Sequence, residues 1–236
     1  MLKTKKSLRW LYGLGLFIFI FIFLALLTNV STKVDEQDEI VIKLILGIDA
    51  PPVRQTFDDE IRVIRWAQER VLQIAPGMEP IPDYASREPI DLLKAHSGLC
   101  YDRSRTLDKI YKWLGFESRH VYILFAKKGV DTNAWQFLRY AISHSDSHAV
   151  TEVKTTHGWL MVDSNSAWIS VNQQGQPIQA NEIHERRHEF FSPPDYVNVP
   201  LWAIRGMYSR RGQLYSPFLL YPDFNWPDFL IWSLGM

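Results

Sequence analysis

The sequence predicts an α+β domain built on an antiparallel sheet and preceded by a transmembrane helix. Three observations predict it. Residues 10–30 ("WLYGLGLFIFIFIFLALLTNV") carry no charge, a run long enough to cross a bilayer as one helix. Two helical periodicities then follow one another, and after them come consecutive strand-like runs with short connections, the order expected of α+β architecture. Apolar residues make up 47% of the 236 and aromatics 14%, enough to fill one core and to exclude global disorder.

The bulk numbers narrow the function classes. Lys plus Arg and Asp plus Glu stand at 26 each, so the basic excess of a general nucleic-acid binder is missing. One cysteine forms no intramolecular disulfide, and the fold does not depend on a disulfide framework.

Taken in order, residues 1–9 form a basic tail with Lys3, Lys5, Lys6 and Arg9 and no acid. Basic flanks stay cytoplasmic, which leaves "DEQDE" (35–39) on the far side. No small-x-small cleavage site follows the apolar run, so 10–30 is expected to be an uncleaved signal-anchor. Gly13 and Gly15 lack the four-residue spacing of a helix-dimer motif. Residues 31–56 read as a linker, with "IVIKLILGI" (40–48) an apolar run whose periodicity does not separate strand from helix. From Asp58 to Ile74 the apolar residues Ile61, Ile64, Ala67, Val71 and Ile74 recur at helical steps, and Pro76–Gly77 end the helix.

A proline-rich loop (76–89) leads to a second helix over Cys100–Leu114, with Leu107, Ile110, Tyr111 and Leu114 on one face and Gly115 at its stop. "HVYILFA" (120–126), "HAVTEV" (148–153) and "GWLMVD" (158–163) read as strands; "AWISV" (167–171) is expected as a fourth. The main domain is expected over 57–200, and 201–236 is an aromatic extension too interrupted by Pro217, Pro222 and Pro227 to span a membrane. That tail is expected to pack on the domain, the alternative being that Trp226, Phe229 and Trp232 rest at a bilayer interface.

The chemistry centres on Cys100. It opens a helix, where free backbone N–H groups and the helix dipole favour a thiolate and can stabilise an oxyanion. Gly98 before it lets a substrate approach the backbone. A lone cysteine is commonly a packing residue; what lifts this one above that is "SHAVTEVKTTHGWLMVDSNSAW" (147–168). Read as a hairpin turning at Thr156–His157, an even loop sets position 163 opposite 150. Asp163 is then the diagonal neighbour of His148 on one face, ~7–8 Å away at the backbone; a loop one residue longer or shorter sends it to the other face. The spacing thus allows Asp163 to orient His148 and His148 to act as base toward Cys100.

"GLC" followed by "DRS", then "LGFESRHVYI", "HAVTEV" and "GWLMVDS", together resemble the transglutaminase-like superfamily of papain-fold enzymes over roughly residues 57–171. The resemblance implies a papain-like core with the nucleophile helix packed on an antiparallel sheet. It implies Cys100 as nucleophile, His148 as general base and acid, and Asp163 as the residue that orients the histidine. Val150 stands where relatives often have an aromatic, and Ser164 where a proline often follows the aspartate. Relatives also place a side-chain oxyanion donor upstream of the cysteine; Trp66, Gln68 and Tyr84 are candidates.

Other histidines compete. "HERRH" (184–188) matches a zinc-protease pattern, but two arginines occupy its middle, "SPP" (192–194) ends any helix, and no third ligand follows. It is read as a solvated surface helix. His144, Asp146 and His148 in "HSDSH" could hold a metal but read as a polar loop into a strand. His144 and His157 are alternative bases; the direction of His96 cannot be predicted. No cofactor and no metal is expected.

The expected function is a membrane-anchored, extracytoplasmic thiol enzyme acting on the amide or peptide bond of a protein or peptide substrate through a thioester. Hydrolysis is preferred over acyl transfer because nothing in the sequence marks an amine-acceptor site and, as the resemblance implies, because relatives in bacteria are often proteinases. The expected location is a bacterial inner membrane with the domain facing the periplasm. The alternative is a catalytically silent module serving as scaffold in a membrane assembly. The oligomeric state is not legible in the sequence.

Overall fold

The computed structural model describes residues 3–28, 30–82, 85, 87–125, 146–208 and 223–234, and within the first helix the side chains of 10–23. The candidates Tyr84 and His144 lie outside the described residues, as do residues 215–222 of the aromatic tail. Helix α1 (Lys3–Thr28) is followed by α2 (Glu36–Leu46), α3 (Phe57–Ile74), α4 (Pro89–Ala95) and α5 (Cys100–Trp113). The strands are β1 (Glu117–Phe125), β2 (Asp146–Thr155), β3 (Gly158–Asp163) and β4 (Leu201–Arg205), then the short pair β5 (Met207–Tyr208) and β6 (Asp223–Phe224); α6 (Trp226–Ser233) comes last. The main sheet has the order β3-β2-β1-β4, and every pairing in it is antiparallel. The α+β expectation holds.

Helices cover one face of this sheet. α5 lays Leu107, Ile110, Tyr111 and Leu114 into a core shared with Ile64, Ala67 and Val71 of α3 and with Val153, Leu160 and Val162 of the sheet. Each Val, Leu or Ile among them contributes roughly 1.5–3 kcal/mol by leaving water. The other face is covered by the irregular segment after β3: Ile178, Ala180, Ile183, Phe190 and Val197 pack on Val121, Ile123, Val150 and Met161.

Three expectations are corrected. Residues 31–56 are not only a linker, because α2 lies within them and buries Val41, Ile42, Ile45 and Leu46 in the helical core. A capping box between Asp35 and Asp38 starts α2, and Gly47 in the left-handed region (φ 71) stops it. Its Asp38 accepts from buried Lys109 of α5 at 2.6 Å. Residues 167–171 form bridges at Ile169 and Val171 rather than a strand; the fourth strand is β4, on the opposite edge beside β1. Residues 184–188 form turns and a 3-10 turn (Arg187–Glu189), not an α-helix.

The chain's two ends meet. Val30 N donates to Phe224 O at 2.7 Å, Asn225 Nδ2 donates to Val30 O at 2.9 Å, and Phe21 of α1 meets the Trp226 ring edge-on at 5.8 Å. α6 itself docks on the domain beside β4, against the Gly206 turn. The described side chains of α1, from Trp10 to Phe23, are all exposed. Among the described residues no helix is long and apolar enough to cross a membrane: those side chains cover about 20 Å of helix against the ~30 Å of a hydrocarbon core.

Candidate active site

Cys100 is the first residue of α5, after an extended Leu99 at the cap. The cap is closed by Asp102, whose Oδ2 accepts from Leu99 N at 3.0 Å. Its Oδ1 takes Arg87 Nη1 at 2.6 Å in a fully buried ion pair, so the acid two residues from the thiol has its charge compensated. Burial acts to raise the Asp102 pKa against that pairing. Gly98 has a packing reason rather than an access reason: a Cβ there would stand 2.5 Å from Leu92 Cδ1 and 3.1 Å from Asp102 Cβ.

The register of the β2–β3 hairpin decides where the histidine and aspartate go. Thr155 pairs with Gly158 and Val150 with Asp163, so the loop is the two residues Thr156 and His157, the even loop the sequence required. Asp163 is therefore the diagonal neighbour of His148, and His148 Nε2 lies 3.3 Å from Asp163 Oδ1. Helix α5 is set against the same strand by Ser104, whose Oγ donates to Val150 O at 2.7 Å. One turn earlier, Cys100 is brought beside His148. With Nε2 turned to Asp163, Nδ1 is the ring atom left to face the Cys100 sulfur, which is near enough to act on the ring's pKa.

Electrostatics follow from that arrangement. Burial acts to lower the His148 pKa, but hydrogen bonds to Asp163 and to Cys100, with the negative charge of both, raise it to about 10. For Asp163, burial acts upward, yet the His148 hydrogen bond and charge and the Tyr196 hydroxyl bring the pKa below the ordinary carboxylate value. Its Oδ1 also accepts from Asn165 N at 2.6 Å and Ser166 N at 3.0 Å, and its Oδ2 from Tyr196 Oη at 2.6 Å.

A buried cation lies close by. Arg103, on α5 one turn past Cys100, reaches Ala75 O, Gly77 O and Asn165 Oδ1 at 2.8, 2.6 and 2.8 Å. It ties the segment just after α3 to the loop after the aspartate. Burial lowers its pKa, while the charges of Cys100, Asp102 and Asp163 raise it.

The other candidates fall elsewhere. Gln68, on α3, gives its Nε2 to the carbonyls of Asp163, Ser166 and Trp168 at 2.8, 2.8 and 2.9 Å. Those contacts make it a clamp on the 163–168 loop and leave no amide proton for an oxyanion. Trp66 packs against the helical core. His157 stacks on Phe57 at 4.2 Å, at the turn end of β3 and about 17 Å along the strand from Asp163. His96 caps α4, with its Nδ1 3.1 Å from Ile74 O. His184 Nδ1 is turned to Val197 O at 3.1 Å; among the described residues no group of His, Cys, Asp and Glu is placed to hold a metal.

Sequence reasoning missed Arg103, Arg87 and Tyr196. Arg103 was within reach of it, since a residue three past Cys100 shares its helix face. Tyr196 left no signal, because an irregular segment separates it from β3.

Residues 53–164 match a family model described as the transglutaminase-like superfamily core. No curated protein matches the chain.

Proposed function

We propose, from the transglutaminase-like superfamily domain that residues 53–164 carry, that this chain is a membrane-anchored thiol enzyme acting on an amide or peptide bond. The observation that carries the reading is the placement of His148 between Cys100 at a helix start and a carboxylate held below its ordinary pKa. Cys100 attacks the carbonyl carbon, and the backbone N–H groups opening α5 receive the developing oxyanion. His148, doubly protonated at neutral pH, gives a proton to the leaving amine as the C–N bond breaks and a thioester forms. The now neutral ring takes a proton from water as that water attacks the thioester, which releases the acid and restores the thiolate and imidazolium. Asp163 keeps the ring's Nε2 turned away from the sulfur throughout.

The anchor reading draws on the uncharged run 10–30, the continuous helix Lys3–Thr28 and the exposure of Trp10–Phe23. The uncharged part of that helix, residues 10–28, spans about 28 Å, close to the thickness of a hydrocarbon core. The basic tail sets the N-terminus in the cytoplasm and the domain outside it, at a bacterial inner membrane facing a periplasmic protein or peptide substrate.

The test is the rate of iodoacetamide labelling of the full chain in detergent across pH 5.5–9.5, with and without His148→Ala. The chain has one cysteine, so every label reports Cys100. An ordinary thiol titrates near pH ~8.5 and slows about 300-fold from pH 9.5 to 6. Labelling at pH 6 that stays within about tenfold of the pH 9.5 rate and collapses in His148→Ala is the expected result. An ordinary thiol profile in both proteins defeats the enzyme reading and favours the scaffold.

A further inference from the structure

We propose that Tyr196, beyond the matched family segment, is a positioning residue for the His148–Asp163 pair, and that the strap 187–200 carrying it is a working part of the site. This rests on the enzyme reading above. Of the four donors to the Asp163 carboxylate, His148 is the most distant, at 3.3 Å. The weakest contact does not set the orientation of the group; the closer donors do. Asn165 N and Ser166 N both act on Oδ1. Tyr196 acts on Oδ2 at 2.6 Å, and a carboxylate held at both oxygens cannot turn about its Cβ–Cγ bond. Tyr196 therefore keeps Oδ1 facing His148.

Its ring does a second thing. It lies 5.0 Å from the imidazole, tilted by 49°, and so covers the histidine from the side opposite the helices. Burial, and then the charge of Asp163, hold the phenol pKa well above its ordinary value, so the hydroxyl remains a donor throughout the working range. A phenylalanine would fill the same space; what the hydroxyl adds is the bond to Asp163.

The position of Tyr196 is itself fixed. It sits in the 3-10 turn Asp195–Asn198, where the neighbouring Val197 is buried in the core on that face. The Val197 carbonyl can only accept, so His184 donates to it from Nδ1 at 3.1 Å. The first histidine of "HERRH" thus supports the turn that presents Tyr196. Asn172 Nδ2 to Glu189 Oε2 (2.7 Å) and Gln173 N to Glu189 O (3.0 Å) hold the strap's other end.

The experiment is the same pH-resolved labelling of Cys100 in the full chain in detergent, comparing wild type, His148→Ala, Tyr196→Phe and His184→Ala, with melting temperatures alongside. Tyr196→Phe is expected to label about tenfold more slowly than wild type at pH 6, the effect of one hydrogen bond to a charged group. At pH 9.5, where any thiol is ionised, it should match wild type within about twofold. A purely structural tyrosine would lower the melting temperature without moving the profile's acid limb. A Tyr196→Phe profile that overlays wild type while His148→Ala collapses overturns the proposal and leaves the enzyme reading standing. An ordinary thiol profile in wild type defeats both. If Tyr196→Phe does not fold, His184→Ala decides: slowed labelling at pH 6 with the pH 9.5 rate kept supports the strap, and an unchanged profile overturns it.

Discussion

Replacing Gln68 by methionine tests whether the candidate oxyanion donor is instead a clamp. Methionine keeps the volume, so no cavity term enters and the loss is of hydrogen bonds. One Nε2 serves three carbonyls at 2.8–2.9 Å with two protons, so about two full bonds are lost, each worth ~1–1.5 kcal/mol net. The Gln68 Oε1, buried without a partner among the described residues, is removed with them, and relief of that desolvation offsets about 1 kcal/mol. The net destabilisation is about 1.5 kcal/mol, or a melting temperature lower by about 3–6 °C for a chain of this length. The loop that loosens carries Asp163 and its two backbone donors, so Cys100 labelling at pH 6 should slow as well. Thermal melting by circular dichroism on the full chain in detergent, paired with labelling, measures both. A melting temperature within 2 °C of wild type and an unchanged profile would refute the clamp. If substrate turnover were nonetheless lost, Gln68 would be an oxyanion donor after all.

Two further predictions rest on buried features. His120 is held neutral, its pKa lowered to about 3 by burial and by the charges of Arg105 and Lys112. Ser104 gives its proton to Val150 O, so the 2.8 Å contact to His120 Nδ1 is made by a ring N–H, the neutral tautomer. Unfolding then takes up a proton that the native state refuses, and stability falls as pH drops from 6.5 toward 3. Between pH 6 and 4, denaturant titrations of wild type should fall more steeply than those of His120→Gln by about 1.4 kcal/mol per pH unit; equal slopes would show that the native state admits the proton. Gly206 has φ +70, and a Cβ there would stand 2.5 Å from Phe229 N and 2.7 Å from Asn225 O, backbone atoms that cannot swing aside. Gly206→Ala should undock α6 from β4 at a cost of about 2–4 kcal/mol and expose it to protease. Gly47→Ala, with a similar φ of +71 but nothing within 4 Å, isolates the backbone cost, and equal losses in the two variants would remove the clash from the account.

Sequence alone carried the elements whose causes are local. Ile64, Ala67 and Val71 repeat on one face of α3 whatever lies opposite them, and a helix beginning at Cys100 is written in its own four-residue period. The hairpin was legible because strand alternation has a period of two: once the turn holds two residues, Asp163 can only share a face with His148. The start of α2 was also written locally, in the Asp35–Asp38 box and Gly47, although its apolar run by itself suited strand and helix equally.

Tertiary structure decided what depends on a partner far away in sequence. Residues 167–171 and 201–205 are similarly apolar, and only the free edge of β1 selects the second as β4. Gln68 could have faced a substrate; three carbonyls of the 163–168 loop, almost a hundred residues on, claim its amide instead. The orientation of Asp163 likewise depends on Tyr196, delivered by a strap with no periodicity to read. A period can be read from a chain because it arises from neighbours a few residues apart. A hydrogen bond between side chains remote in sequence has no such trace, and folding alone brings the two groups together.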